Sequence, residues 1–174
     1  MKKRNKRKLG FVLTWMTLGL LIISTFGVIR AKANVLCVNT GGTGGCYSSI
    51  QDAINNATDG DTINVAAGTY AETLNLGAKQ LTISGAGIGI TIVDSSALSG
   101  YAISNFGDST TISGLTLLGT DHYGFKVSHV SDITLENIRV ESSGKTGVDL
   151  NTVSGATLNN VQVVDTVGGF GIMI

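Results

Sequence analysis

The chain has 174 residues and no proline, and its formal net charge is zero because 12 basic residues balance 12 acidic ones. Eight of the basic residues lie in positions 1–33, and all of the acids lie beyond them. The remainder therefore carries four basic against 12 acidic residues, a formal charge of −8. Such a domain lacks the basic patch that nucleic-acid binding requires, which excludes that class of function.

The amino terminus has the layout of a secretory signal peptide. Six basic residues between positions 2 and 8 precede an uncharged, largely apolar stretch at 9–29, and Ala31-Lys32-Ala33 offers the small residues that a signal peptidase recognises. We predict a signal peptide at 1–33. The 21-residue stretch is also long enough to span a bilayer, so an uncleaved membrane anchor is the alternative. Both hypotheses predict a secreted or cell-surface protein.

The two cysteines of the chain, Cys37 and Cys46, follow the leader closely and flank a segment with four glycines. In an exported chain an even number of cysteines this close together is typical of a disulfide, and the glycines let a short loop close without strain. A metal site would need more ligands than this segment supplies, since no histidine is near. A redox pair is an alternative, but the two cysteines lack the tight C-x-x-C spacing. We therefore predict a Cys37–Cys46 disulfide and no metal.

The next segment carries the pattern of a short amphipathic helix. Ser48 and Ser49 are residue types that favour the N-cap position. Apolar residues then fall on one helical face, at Ile50, Ala53, Ile54 and Ala57. A helix of this kind ahead of a repeat domain would cover the open apolar end of the first repeat.

Beyond residue 61, residue types recur in columns spaced by 23 positions. The columns are Ile112/Leu135/Leu158, Leu115/Ile138/Val161, Leu117/Val140/Val163 and Gly114/Asn137/Asn160. Apolar and polar positions alternate within each repeat, which is typical of strands, whereas glycine and asparagine accept the positive φ of a bend. The fixed period predicts a parallel β-helix, a solenoid of about five coils with three short strands and three bends each. A β-sandwich, the alternative, would not repeat residue types at one period.

These patterns divide the chain into three parts. They are the leader at 1–33, a disulfide loop with the capping helix at 34–60, and the β-helix at 61–174. The last part stops inside a strand, with no closing helix or polar last coil after Ile174. We therefore expect a C-terminal truncation, with the remainder of a longer chain stacking on Ile174. A partner chain that covers this end is the alternative.

The stretch 48–87 resembles the opening of the pectin-lyase-like superfamily of right-handed parallel β-helix proteins. The matching motifs are I-Q-D-A-I (50–54), G-D-T-I (60–63), G-T-Y (68–70) and L-T-I-S-G (81–85), whereas Ala67 stands where such proteins usually carry proline. The resemblance covers about 48–174 and implies a right-handed parallel β-helix. The superfamily includes lyases, hydrolases, esterases, adhesins and non-catalytic modules, and we find none of the motifs of its known enzymes here.

Two neighbouring strands, GFKV (124–127) and GVDL (147–150), carry candidate groove residues. Alternation points Lys126 and Asp149 outward, one rung or about 4.8 Å apart. The inward positions are Phe125, Val127, Val148, Leu150, Ile172 and Ile174. Opposite charges one rung apart favour a cross-strand ion pair worth less than about 1 kcal/mol, and a binding or catalytic role is the alternative.

Three chemically capable residues, Asp121, His122 and Tyr123, precede the first of these strands. The aspartate could orient the histidine as a base, although adjacency in sequence does not establish that geometry. Tyr101 and Phe170 lie one coil before and two coils after Tyr123, so aromatic rings along a groove could hold sugar rings. Stacking of side chains on exposed rungs is the alternative. Our candidate groove is Asp121, His122, Tyr123, Lys126 and Asp149, with no catalytic residue assigned.

Two classes of function remain. The first is an exported β-helix module that binds a polysaccharide or cell-surface glycan or serves as a surface scaffold, which the Ser/Thr/Asn-rich rungs without an acid cluster favour. The second is the N-terminal part of a secreted polysaccharide lyase or glycoside hydrolase. No cofactor is evident, but a lyase would need Ca²⁺ to bridge an anionic substrate to an acidic protein. Whether the chain is an enzyme stays open, and a membrane contact is expected only through an uncleaved leader.

Overall fold

The computed structural model describes residues 32–174, so the predicted leader lies almost wholly outside the described residues. These residues form a parallel β-solenoid with one short helix, which confirms the predicted fold class and its 23-residue coils. In this part of the chain we find no helix that is both long and apolar enough to cross a membrane.

The helix and strands follow one another at short intervals. In chain order they are β1 (Val35–Val38), α1 (Ile50–Asn56), β2 (Thr62–Val65), β3 (Gly68–Tyr70), β4 (Leu74–Asn75), β5 (Thr82–Gly85), β6 (Thr91–Asp94), β7 (Ile103–Ser104), β8 (Thr111–Thr120), β9 (Phe125–Ser128), β10 (Thr134–Ser143), β11 (Val148–Asn151), β12 (Thr157–Val164) and β13 (Ile172–Met173).

Two sheets, both with parallel pairing, make up the solenoid. The first has the order β1-β2-β5-β8-β10-β12, with β3 and β6 alongside, and its six rungs give about six turns where the sequence predicted about five. The second has the order β13-β11-β9-β7-β4. Parallel strands of successive coils exchange hydrogen bonds along the whole axis, so each coil is held by the two beside it.

The predicted bend recurs in three successive coils of the first sheet. Gly114, Asn137 and Asn160 have φ angles of 66°, 50° and 50°, the left-handed conformation that glycine and asparagine accept most easily. Because the bends lie in register, β8 and β10 continue through them as ten-residue strands, whereas we predicted separate short strands. The Asn160 side-chain amide donates to Asn137 Oδ1 at 2.8 Å, which adds a side-chain ladder to the backbone ladder.

Stacked columns of aliphatic side chains form the core. Ile63, Ile83, Ile112 and Leu135 stand on successive rungs of the first sheet, and all four are fully buried. Burial of such a side chain contributes about 1.5–3 kcal/mol, which a single coil cannot obtain without its neighbours. The register places Leu135 opposite both Ile112 and Leu158, as the 23-residue spacing predicted.

Six residues of the second sheet were predicted to point inward, and four of them are buried. These four are Phe125, Val127, Val148 and Leu150. Ile172 stands opposite the buried Val148, on the predicted inward face, but Ile172 and Ile174 are 40% and 91% exposed. They stand at the last described rung, where β13 pairs with β11 on one side only.

The segment that we predicted only as a disulfide loop also contains a strand. β1 pairs with β2 in parallel, and Cys37 stands opposite Asn64. The predicted disulfide joins Cys37 to Cys46, with their Cα atoms 4.7 Å apart. It ties the outermost strand of the first sheet to the segment that leads into α1.

The helix α1 confirms the predicted amphipathic segment, with Ser49 as its N-cap. Its amino end is held by a carboxylate from the following coil: Glu72 accepts hydrogen bonds from the Ile50 and Gln51 backbone amides at 2.8 and 3.0 Å and from Ser49 Oγ at 2.7 Å. A negative charge at this end also complements the helix dipole.

The carboxyl end of α1 is held by a cation from the same coil. Lys79 Nζ donates to the carbonyls of Ile54, Asn55 and Ala57 at 2.7, 3.1 and 2.8 Å. The two ends of α1 are thus fixed by charges of the sign that the helix dipole favours. This dual anchoring keeps the apolar face of α1, with Ile50 and Ile54 fully buried, against the end of the core.

Removing the disulfide should destabilise the amino end of the solenoid. The bridge closes a loop with a sequence separation of 9, and loop-closure entropy gives about 2–3 kcal/mol for such a loop. We expect the double variant Cys37→Ser/Cys46→Ser to lose that much unfolding free energy in urea titrations, while Thr43→Ala in the same loop stays close to the wild type. A loss below about 0.5 kcal/mol would contradict the assignment.

A buried carboxylate, that of Asp61, links β1 to the turn that follows α1. It accepts hydrogen bonds from the Asn34 amide at 2.7 Å, the Thr58 amide at 2.8 Å and the Thr58 hydroxyl at 3.0 Å. The bond from the Thr58 amide, followed by that from Asn34, lowers the pKa of Asp61 below its usual value, although burial acts in the opposite direction.

Because the pKa of Asp61 is lowered in the folded state, its contribution to stability is fully present above the unfolded pKa of about 3.9 and is lost as pH falls through the folded pKa. We expect Asp61→Asn to make the unfolding free energy depend less steeply on pH in the acid range. The same variant should lower the unfolding free energy by about 1–3 kcal/mol at neutral pH. Urea unfolding across the acid range would measure both effects, with the exposed Asp165→Asn as control. If the unfolding free energy of Asp61→Asn depends on pH in the acid range as steeply as that of the wild type, this role is refuted.

Candidate functional site

A groove of about 670 Å³ runs along the outer face of the second sheet. Its floor crosses three rungs, because Asn75 of β4 stands opposite Ser104 of β7, and the pairing of Ile103 with Phe125 places Ser104 opposite Lys126 of β9. The rungs follow each other at about 4.8 Å, so the floor presents an amide, a hydroxyl and an ammonium group in one column.

Three residues in the left-handed conformation also line the groove. Ala78, Asn105 and His129 follow β4, β7 and β9 and have φ angles of 58°, 55° and 57°. The Asn105 side-chain amide donates to Asn75 Oδ1 at 3.1 Å. One of these bends is therefore joined to the floor by a side-chain hydrogen bond.

A tyrosine and a carboxylate complete the groove lining. Tyr101 is 39% exposed and is the aromatic ring that the groove presents to solvent. Asp108 also lines the groove, where its Oδ1 accepts hydrogen bonds from the Ser131 amide at 2.7 Å and the Ser131 hydroxyl at 3.2 Å. The remaining lining residues include Ser128, whose hydroxyl adds to the polar character of the site.

Of the five residues that we predicted as the groove, Lys126 lines it, and the other four lie around it. Asp121 Oδ1 accepts a hydrogen bond from the Gly100 amide at 2.6 Å, and the His122 amide donates to Thr120 Oγ1 at 3.2 Å. Within residues 32–174 no hydrogen bond joins Asp121 to the imidazole of His122. The geometry does not assemble the oriented base that their adjacency suggested.

Tyr101 and Tyr123 lie side by side, as their spacing of one coil predicted. Their ring centroids are 5.7 Å apart, with an angle of 42° between the planes, and His122 packs edge-on against Tyr101 at 5.9 Å. The Tyr123 ring is also approached by two ammonium groups, those of Lys126 at 5.0 Å and Lys145 at 5.8 Å. Cation–π contacts of this kind engage Tyr123 internally and leave Tyr101 as the ring that faces the groove.

The predicted line of aromatic rings does not continue to Phe170. That side chain is 65% exposed, and among the described residues no ring packs with it. Phe170 therefore lies outside the aromatic cluster, which is limited to Tyr101, His122 and Tyr123.

Lys126 and Asp149 form the predicted ion pair across adjacent rungs. The register places both side chains on the outward face of their strands, as predicted, but the Asp149 side chain is 0% exposed there. Lys126 and Met173 stand on the rungs to either side of it. Its Oδ2 binds Lys126 Nζ, whereas its Oδ1 has no hydrogen-bond partner in the described part of the chain. The pair is thus a desolvated one rather than a surface salt bridge.

Three lining residues that sequence reasoning missed are Asn75, Ser104 and Asp108. The first two stand opposite each other although they are 29 positions apart, whereas Ser104 and Lys126 are 22 apart. The 23-residue period therefore does not reveal this column. The sequence pattern that could have revealed these two positions is a polar residue directly after a buried aliphatic one, as in Leu74-Asn75 and Ile103-Ser104.

Comparison of the chain with protein-family models and with curated proteins finds no match. Within residues 32–174, no three histidine, cysteine or acidic side chains come together in a group that could hold a metal ion. The chemistry that the site offers is that of its lining: hydrogen-bonding amides and hydroxyls, one exposed tyrosine ring, and the two charged residues Lys126 and Asp108.

Proposed function

We propose that this chain is an exported parallel β-helix module that binds a glycan in the groove of the second sheet. The observation that carries the proposal is an open groove over three rungs with a polar floor and an exposed tyrosine in its lining. Its volume of about 670 Å³ lies within the range of roughly 300–1,000 Å³ that is typical of ligand sites.

The lining suits the chemistry of sugars. A sugar ring offers hydroxyl groups at its rim and C–H groups on its faces. Asn75, Ser104 and Asn105 supply hydrogen-bond donors and acceptors for the rim, and Tyr101 supplies a flat apolar surface for a face. The regular rung spacing of about 4.8 Å lets an extended chain of sugars meet similar groups repeatedly.

We further propose that the chain belongs with the pectin-lyase-like, right-handed parallel β-helix proteins. The motifs between 50 and 85 support this, as do the parallel solenoid and the helix at its amino end. Export to the cell surface or the medium is supported by the leader pattern at 1–33 and by the Cys37–Cys46 disulfide, since disulfides persist in oxidising compartments.

A second candidate function is that of a polysaccharide lyase or glycoside hydrolase. It is favoured by one observation, that Asp108 and His129 both line the groove and are groups that can transfer protons. Binding remains our first proposal because the Asp108 carboxylate already accepts two hydrogen bonds from Ser131.

Calorimetric titration of the secreted protein with plant, fungal and microbial cell-wall oligosaccharides tests the proposal. Loss of the groove tyrosine in Tyr101→Ala should weaken binding by about 5- to 30-fold, because a buried aromatic contact typically contributes 1–2 kcal/mol. Phe170→Ala is the matched control, since it removes an exposed ring outside the groove, and it should leave affinity unchanged.

Two outcomes would count against binding in the groove: no oligosaccharide binds, or Tyr101→Ala and Phe170→Ala weaken binding equally. The same mixtures, analysed for new reducing ends or unsaturated sugars, address the second candidate. Accumulation of such products that stops in Asp108→Asn would favour the enzyme over the binding module.

A further inference from the structure

The groove contains one lysine, and that lysine is already neutralised. Lys126 lines the floor, its Nζ binds Asp149 Oδ2, and the same Nζ lies 5.0 Å from the centre of the Tyr123 ring. Asp149 does not line the groove but stands beside Lys126 on the next rung, where its side chain is fully buried. A ligand that enters the groove therefore meets an ammonium group whose charge is balanced from the protein side.

Burial makes this neutralisation strong. The Asp149 side chain is 0% exposed, whereas that of Lys126 is 25% exposed. Water cannot screen the attraction between Lys126 Nζ and Asp149 Oδ2 as it does at the surface, and Asp149 Oδ1 has no hydrogen-bond partner among residues 32–174. Lys126 is consequently the main compensation for a buried negative charge, and withdrawing it toward a ligand anion would leave that charge unpaired.

The charge balance of the groove is negative. Asp108 places one carboxylate in the lining and Asp149 adds a second on the next rung, so the groove and that rung hold two negative groups against one positive group. The region after residue 33 has a formal charge of −8, so its overall charge has the same sign as that of the groove. An anionic sugar would approach two carboxylates and a lysine that is already engaged.

We infer that Asp149 determines the specificity of the groove: by neutralising Lys126, it makes the groove select uncharged sugar units over uronates. This inference rests on the proposed glycan-binding function and names the class of glycan. Asp149 acts through Lys126 and does not itself touch the ligand. Its role differs from that of Glu72, whose carboxylate accepts hydrogen bonds at the amino end of α1.

The test uses two probes with the same sugar backbone, a charged oligogalacturonate and its uncharged methyl ester, titrated into the secreted protein at low salt. The wild type should bind the ester about tenfold more tightly than the acid. In Asp149→Asn the released ammonium group can pair with a carboxylate, so the ratio of ester to acid affinity should fall by about tenfold or more.

Two further variants separate this role from general effects of charge and folding. Glu136→Gln removes the same unit of negative charge from the first sheet, outside the groove, and should leave the ratio within about twofold of the wild type. The double variant Lys126→Gln/Asp149→Asn removes both charges and should also keep the wild-type ratio. If Asp149→Asn alone does not fold, the double variant provides the test. Should Lys126 instead recognise uronates directly, the double variant would lose affinity for the acid but not for the ester.

The inference is overturned if the wild type prefers the acid, if Asp149→Asn and Glu136→Gln change the ratio equally, or if the double variant selectively loses acid binding. It is also overturned if the ester does not bind. In each case the glycan-binding proposal stands as long as another oligosaccharide binds and Tyr101→Ala weakens it. Failure of every oligosaccharide to bind removes both proposals.

Discussion

Everything in this protein depends on the parallel, in-register stacking of one coil on the next. A single coil has too few residues to bury its aliphatic side chains, so Ile83 or Ile112 is buried only because a similar residue stands on the rungs before and after it. The same stacking produces the groove, since one rung step brings Asn75, Ser104 and Lys126 into a column although the chain runs through a whole coil between them. The packed core and the binding surface therefore both arise from the stacking of one coil on the next.

Stacking also explains which parts of the fold the sequence could predict. Where coils have equal length, equivalent residues share a chemical environment, so Leu135 repeats Ile112 and Asn137 repeats the left-handed bend of Gly114. Coils of unequal length break that relation. The spacing of 29 positions from Asn75 to Ser104 hides their adjacency. β1 could not be recognised because it stands before the helix and four residues give too short a pattern.

The candidate site shows a different limit of sequence reasoning. Alternation along a strand says which face a side chain leaves from, and it correctly paired Lys126 with Asp149. It does not say what lies over that face, so the complete burial of Asp149 could not be predicted. Likewise, the aromatic spacing predicted that Tyr101 and Tyr123 would meet, but only the positions of Lys126 and Lys145 show that Tyr123 is engaged internally and Tyr101 faces the groove.

The most direct test of this account is mapping of backbone amide chemical shifts during titration with an uncharged oligosaccharide that the protein binds. If stacked rungs build the binding surface, the shifts should follow one column across three coils, at Asn75, Ser104 and Lys126, with little change at Ser84 and Ser113 on the first sheet. Shifts concentrated on the first sheet, or scattered without regard to the rungs, would contradict the central claim that the second sheet carries the site.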